Sequence, residues 1–273
     1  MRVLVTGAAG AIGTVVVAGL AERGHSVVAL DRVASSPTPP VDPRVETIVG
    51  DVLEPGVVRS AVAEVDAVVH LAGIPSETSL TEALESHVLT TAVVLDAMVA
   101  AGASRLVYAS SNHAVGMTAR VAALGTGVQP RPDSFYGIGK VAAEALCSMY
   151  ADHHGIDVVA CRIGSFLARP QSRRHLSTWL SPADAVRMVA AGISTDAAGF
   201  AVLYGISANT RAWWDLEPGR ALGYHPEDDA ETYAAAVLAV AETDQDDGEA
   251  AFVGGPWAVA PPAPRDASGH APT

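Results

Sequence analysis

Val3-Leu4-Val5-Thr6-Gly7-Ala8-Ala9-Gly10-Ala11-Ile12-Gly13 is the stretch that decides the fold of this 273-residue chain. A short run of apolar and β-branched residues reads as a strand. It passes into G-x-x-G-x-x-G and then into a helical pattern near Ala11–Arg23. Glycines permit the tight turn and let backbone N–H groups approach a pyrophosphate at the helix N-terminus. A glycine-rich turn alone is an ordinary connection. Here it follows the first strand and opens a helix, which is the setting that phosphate binding requires.

Outward from this unit, apolar β-branched runs recur near Val27–Leu30, Thr47–Val49, Ala67–Leu71, Leu106–Ser110, Val158–Arg162 and Val202–Tyr204. Helical patterns separate them near Val57–Ala63, Leu80–Ala101, Tyr136–His153 and Ala183–Ala191. Strands alternating with helices imply right-handed crossovers and a parallel sheet covered on both faces, a Rossmann-type doubly wound α/β fold. Residues 1–257 are expected to form a single cofactor-binding domain. Its substrate-binding elements are expected mainly in 165–180 and 207–257. Ala34–Pro43, with four prolines, reads as a loop, as does Gly116–Pro132; 258–273, rich in Pro and Ala, reads as a mobile tail.

The composition excludes several classes. A formal net charge of -13 disfavours nucleic-acid and anionic-membrane surfaces. No uninterrupted apolar run reaches the roughly 18 residues of a membrane span. Cys147 and Cys161 sit in apolar surroundings and read as buried thiols of a reduced, cytoplasmic compartment. The nine histidines show no ligand spacing, and adjacent His153 and His154 read as a solvated helix corner. No metal is expected. The patterns near Leu80–Ala101 and Tyr136–Tyr150 suit either a helical interface of a homo-oligomer or a cover for the sheet.

Candidate cofactor contacts gather at the carboxyl ends of the early strands. Gly7, Gly10, Ala11, Ile12 and Gly13 form the phosphate turn. Asp31 follows the second strand, where a carboxylate can bind both ribose hydroxyls and repel a 2′-phosphate. That favours NAD over NADP, although Arg32 beside it pulls the other way. Asp51 and Val52 follow the third strand, with Asp51 placed to bond an adenine amine or simply to make a turn. Leu71, Ala72 and Gly73 end the fourth.

The chain carries sixteen arginines but one lysine, Lys140, four residues after Tyr136 at the start of a helix. Both side chains therefore share a face. With six tyrosines in 273 residues, that spacing is a rare accident for a lone lysine. A nearby ammonium stabilises a phenolate and is expected to bring its pKa toward neutrality, making Tyr136 a general base. Ser111, in Ser110-Ser111-Asn112-His113 after the fifth strand, can bond the oxygen whose proton Tyr136 removes. Ser-Ser-Asn is also ordinary turn chemistry.

Together these features resemble the extended short-chain dehydrogenases/reductases. More narrowly, Ala109-Ser110-Ser111-Asn112-His113, Arg131-Pro132-Asp133-Ser134-Phe135-Tyr136-Gly137, Arg162-Ile163-Gly164-Ser165, Leu176-Ser177-Thr178-Trp179, Tyr204-Gly205-Ile206-Ser207-Ala208-Asn209 and Trp213-Trp214-Asp215 resemble the uronate dehydrogenases, over about residues 2–257. The resemblance implies NAD-dependent oxidation of D-glucuronate or D-galacturonate at C1 to the aldarolactone. It makes Tyr136 the base and Lys140 its partner, both also touching the cofactor, as does Ile163. It makes Ser111, Asn112, His113 and Ser165 sugar contacts, with Arg174 pairing the carboxylate. The chain departs from that family at Ile74-Pro75-Ser76, where Ser76 is the candidate replacement for an earlier serine. It also departs at His87, where asparagine is common, at Gly139, where serine is usual, and at Met117, where an aromatic is expected. Rival readings are a dehydrogenase of a neutral or phosphorylated aldose, a nucleotide-sugar epimerase or dehydratase, and a non-catalytic NAD-sensing protein.

Overall fold

A computed structural model describes residues 1–34, 42–240 and 251–259. Most of the proline-rich Ala34–Pro43 loop and nearly all of the expected tail lie outside these residues. The exceptions in the tail are Ala258 and Val259, which close a short helix, Pro256–Val259, rather than a mobile segment.

Seven strands form one parallel sheet in the order β3-β2-β1-β4-β5-β6-β9: β1 (Arg2–Thr6), β2 (Ser26–Asp31), β3 (Val45–Val49), β4 (Ala67–His70), β5 (Arg105–Ser111), β6 (Asp157–Ile163) and β9 (Phe200–Gly205). All seven expected strands are present. β1 shows why the pattern is legible. Val3, Leu4 and Val5 are fully buried, with Val3 and Val5 in the core on one face and Leu4 in the core on the other. A strand covered on both faces has no polar side, so it reads as a continuous apolar run.

The helix Ala11–Glu22 and the helix Pro182–Ser194 cover the first face, where Gly19 lets Val186 approach closely. The second face is covered by the helices Pro55–Val62, Leu80–Ala101 and Phe135–His154. Leu80–Ala101 is not one regular helix. Its turn Leu84–Leu89 is π-helical, flanked by α-helix at Leu80–Ala83 and Thr90–Ala101. Contrary to the sequence expectation, this helix is long and apolar enough to cross a membrane by length and composition. It packs on the sheet through Val94, Leu95 and Met98, as a core helix does.

Chain direction across the sheet reverses between β1 and β4, which pair as Val3↔Ala67 through Thr6↔His70. At such a switch point the loops leaving the two strands diverge and open a crevice at the carboxyl edge. Outside the seven-stranded sheet lie pieces the sequence did not reveal. They are the two-residue strands β7 (Ser165–Phe166) and β8 (Trp179–Leu180), the helices His175–Thr178, Glu217–Ala221 and Ala234–Leu238, and two small apolar clusters around Trp214 and Trp179.

Candidate active site

The crevice holds two adjoining cavities of about 350 and 430 Å³ that share Gly7, Gly10, Leu71, Gly73 and Ile74. The larger is lined by Asp31, Arg32, Asp51, Val52 and Ala72; the smaller by Ala11, Ile12, Gly13, Ser111, Asn112, His113, Tyr136, Lys140 and Ile163. The early-strand residues and the reactive residues thus meet in one continuous cleft.

The glycine turn is built for close approach. Gly7 has φ +71°, and a Cβ there would lie 2.6 Å from the Ala72 nitrogen. A Cβ on Gly13 would lie 2.1 Å from the Gly7 carbonyl oxygen. Gly10 caps Ala11–Glu22 without a side-chain hydrogen bond, which leaves the first N–H groups of that helix to an anion. Asp31 accepts the Ala9 N–H at 2.9 Å and the Val33 N–H at 3.2 Å, so its carboxylate is fixed beyond the glycine turn. Asp51 makes the turn bond that its position suggested, accepting the Leu53 N–H at 2.9 Å, and also lines the cavity. These features fit a dinucleotide: a backbone cradle that any side chain would fill, a bare helix N-terminus and a carboxylate beyond it.

At the reactive end, Phe135–His154 begins where two acceptors converge on its first N–H groups. Ser134 accepts from Gly137 at 3.0 Å, and the Glu77 carboxylate accepts from both Phe135 and Tyr136 at 3.0 Å. Helix-end donors need such partners, and a carboxylate there also complements the macrodipole. Glu77 ties the loop after β4 to the backbone of Tyr136. Nothing in the sequence flagged it, because its partners are 58 and 59 residues away.

Lys140 is buried, donates to the Ala109 carbonyl at 2.7 Å, and lies 5.5 Å from the Tyr136 ring centre. Burial pulls its pKa down to about 7 against the opposing pull of Glu144. Burial pushes the Tyr136 phenol up to about 12; the Ser111 hydroxyl acts in the lowering direction and Asp133 adds to the rise. The expected depression of Tyr136 is therefore absent; burial sets the direction instead. Taking a phenolate out of water outweighs the hydrogen bond that Ser111 offers it.

Beneath the pair, Glu144 accepts from Arg162 Nη2 at 2.8 Å and Nε at 3.0 Å, and Ser110 donates to the same carboxylate. This buried bidentate pair joins the helix Phe135–His154 to β6.

His87 lies in the π-helical turn, is almost fully buried and lines the cleft with its ring 5.1 Å from that of Tyr136, edge to face. Burial, with Lys140 next, lowers its pKa to about 2, so the imidazole is neutral. Two glycines make room for it. A Cβ on Gly73 would come 2.8 Å from Nδ1, and one on Gly139 would come 2.9 Å from Cδ2 and 3.0 Å from the Ala83 carbonyl oxygen. The departures at 87 and 139 are thus one steric unit. Gly139→Ser is expected to destabilise the fold by about 1–3 kcal/mol through overpacking. Adding His87→Asn is expected to recover at least half of that, read as a coupling energy in urea-unfolding double-mutant cycles.

The substrate end shows where sequence and structure part. Ser111 accepts the His113 N–H at 3.2 Å, and Asn112 donates to the Val253 carbonyl at 3.3 Å. Arg174 also donates to the Val253 carbonyl, at 2.6 Å, and its guanidinium lies against Gly255. Ser165 pairs with the Thr178 hydroxyl at 2.8 Å. Arg174, Ser165 and Ser76 do not line the cavity, whereas Phe166 and Trp257 do. Trp257 stacks on His113 at 4.1 Å and meets Tyr136 edge-on at 5.6 Å. An aromatic residue just before a Pro- and Ala-rich stretch was its only sequence signal.

Comparison with known proteins agrees with this layout. The pattern of the NAD dependent epimerase/dehydratase family matches residues 3–249. A uronate dehydrogenase of Pseudomonas putida is 36% identical over 261 residues, spanning 96% of this chain and 97% of the relative. The crystal structure of uronate dehydrogenase from Agrobacterium tumefaciens superposes with a TM-score of 0.87 at 35% identity, covering 95% of this chain and 97% of that one. A mutant of the same enzyme complexed with NAD gives 0.87 at 34% identity, with the same coverage. The chain belongs to the NAD dependent epimerase/dehydratase family, and within it to the uronate dehydrogenases.

Proposed function

We propose that the protein oxidises a uronic acid, D-glucuronate or D-galacturonate, at C1 to the aldarolactone, with NAD as the oxidant. The observation that carries this reading is the meeting of Ser111, Asn112, His113, Tyr136 and Lys140 in one cavity continuous with the glycine cradle. The cradle, the bare N-terminus of Ala11–Glu22 and the Asp31 carboxylate would hold NAD. Asp31 sits where a 2′-phosphate would meet like charge. When bound, NAD supplies the acceptor for the hydride leaving C1.

The chain's own residues do the rest. Ser111 and Tyr136 bond the C1 hydroxyl, and Tyr136 accepts its proton at Oη as the carbonyl forms. Lys140 stabilises the phenolate required for that step: a filled cleft excludes water, and each charge then acts on the other at lower dielectric. Its pKa near 7 lets the same amine exchange a proton at neutral pH. Arg174, turning from the Val253 carbonyl, pairs the sugar carboxylate. A reduced cytoplasmic setting accords with Cys147 and Cys161, both free and buried.

Purified protein given NAD and each uronate is expected to form NADH, followed spectrophotometrically. Arg174→Ala should raise KM for a uronate about 10- to 100-fold, the value of a charged hydrogen bond. No NADH with any uronate would overturn the proposal. An undiminished Arg174→Ala variant would point to a neutral aldose.

A further inference from the structure

Asp133 lies in the segment before the catalytic helix, and its side chain is completely buried. Its Oδ2 meets His113 Nδ1 at 2.8 Å, and its Oδ1 accepts the Ser134 hydroxyl at 2.8 Å. Two glycines wrap it. A Cβ on Gly116 or on Gly254 would fall 1.9 or 1.7 Å from Oδ2. The carboxylate is therefore seated against backbone from two segments far apart in sequence. His113, by contrast, keeps 16% of its side chain exposed and lines the cleft, between the stacked Trp257 ring and the edge of Tyr136.

A carboxylate accepts hydrogen bonds and donates none. The imidazole nitrogen facing it must carry the hydrogen, so the other nitrogen of neutral His113 has a lone pair and no proton. We infer that Asp133 is a positioning residue that locks His113 as the Nδ1–H tautomer, so that Nε2 meets the substrate as an acceptor for a sugar hydroxyl. The second carboxylate oxygen serves the reaction as well. Ser134, bonded to it, caps the helix that carries Tyr136, so one buried group sets both the sugar contact and the start of the catalytic helix. This assignment rests on the sugar-oxidation reading for the identity of the hydroxyl, but not for the tautomer.

The tautomer is read directly in the substrate-free protein. Long-range 1H–15N correlation spectra at mildly alkaline pH, with His113 assigned by its loss in His113→Gln, are expected to show a protonated Nδ1 and an unprotonated Nε2. A protonated Nε2 in the wild type overturns the proposal, whatever the stability of any variant. In Asp133→Asn the Ser134 hydroxyl retains the amide oxygen and turns the NH2 toward Nδ1. The imidazole then carries its hydrogen on Nε2 and offers a donor where the sugar hydroxyl also donates. KM for the uronate is expected to rise about 10- to 100-fold, with kcat changed much less and NAD affinity unchanged. An unaltered tautomer, or an unaltered KM with the tautomer reversed, overturns the inference. A failure of the sugar reading appears as an inactive wild type, while a failure of the lock appears in the spectrum.

Discussion

Tyr136→Phe is expected to lower kcat by about 10²–10⁴-fold, the usual span for a general base, with NAD affinity reduced far less than kcat. The ring keeps its edge contacts with His87, His113 and Trp257, so the cleft retains its shape and only the phenolic oxygen is lost. The pH profile separates this from a packing defect. Burial drives the phenol up to about 12, so the base form is scarce at neutral pH. Wild-type kcat should therefore rise with pH until the phenol titrates in the complex, and the Phe variant should not follow that rise. Retained activity with an unchanged pH profile would remove Tyr136 from the chemistry.

The second large effect is expected at Gly13. A Cβ there meets three backbone atoms, the Gly7 oxygen at 2.1 Å and two atoms of Ala8 at 2.8 Å, none of which can rotate aside. Gly13→Ala must displace the turn that aims N–H groups at the pyrophosphate. We expect NAD affinity to fall by about 100-fold or more, and stability by about 2–4 kcal/mol, larger than ordinary overpacking because backbone has to move. NAD titration and urea unfolding measure the two separately. Gly56→Ala is the control: that glycine is also helical, has an ordinary φ and meets nothing within 4 Å. It is expected to leave NAD binding intact and to add a few tenths of a kcal/mol.

What the sequence disclosed was local or periodic. The glycine turn, Asp31 and the Tyr136–Lys140 pair are read within a single strand-helix unit or a single helical turn. The parallel strands announce themselves as unbroken apolar runs. What stayed hidden depends on contacts between distant residues. Glu77 finds Tyr136 across 59 positions, Asp133 finds His113 across 20, and Val253 finds Asn112 across 141. The π-helical turn around His87 is a shift in hydrogen bonding that no residue type signals. β7 and β8, two residues each, carry no period at all. The direction of the Tyr136 shift was misread for a related reason: spacing shows which charges are neighbours, but not how completely water is excluded from them.

The contact between His87 and Gly139 makes the order of two substitutions matter. A Cβ at 139 comes 2.9 Å from the His87 ring, so a larger residue there meets its full cost only while the imidazole stands opposite. Exchanging 139 first therefore passes through the less stable single variant. Exchanging 87 first clears the space before it is filled, and the same double variant is reached along a shallower path.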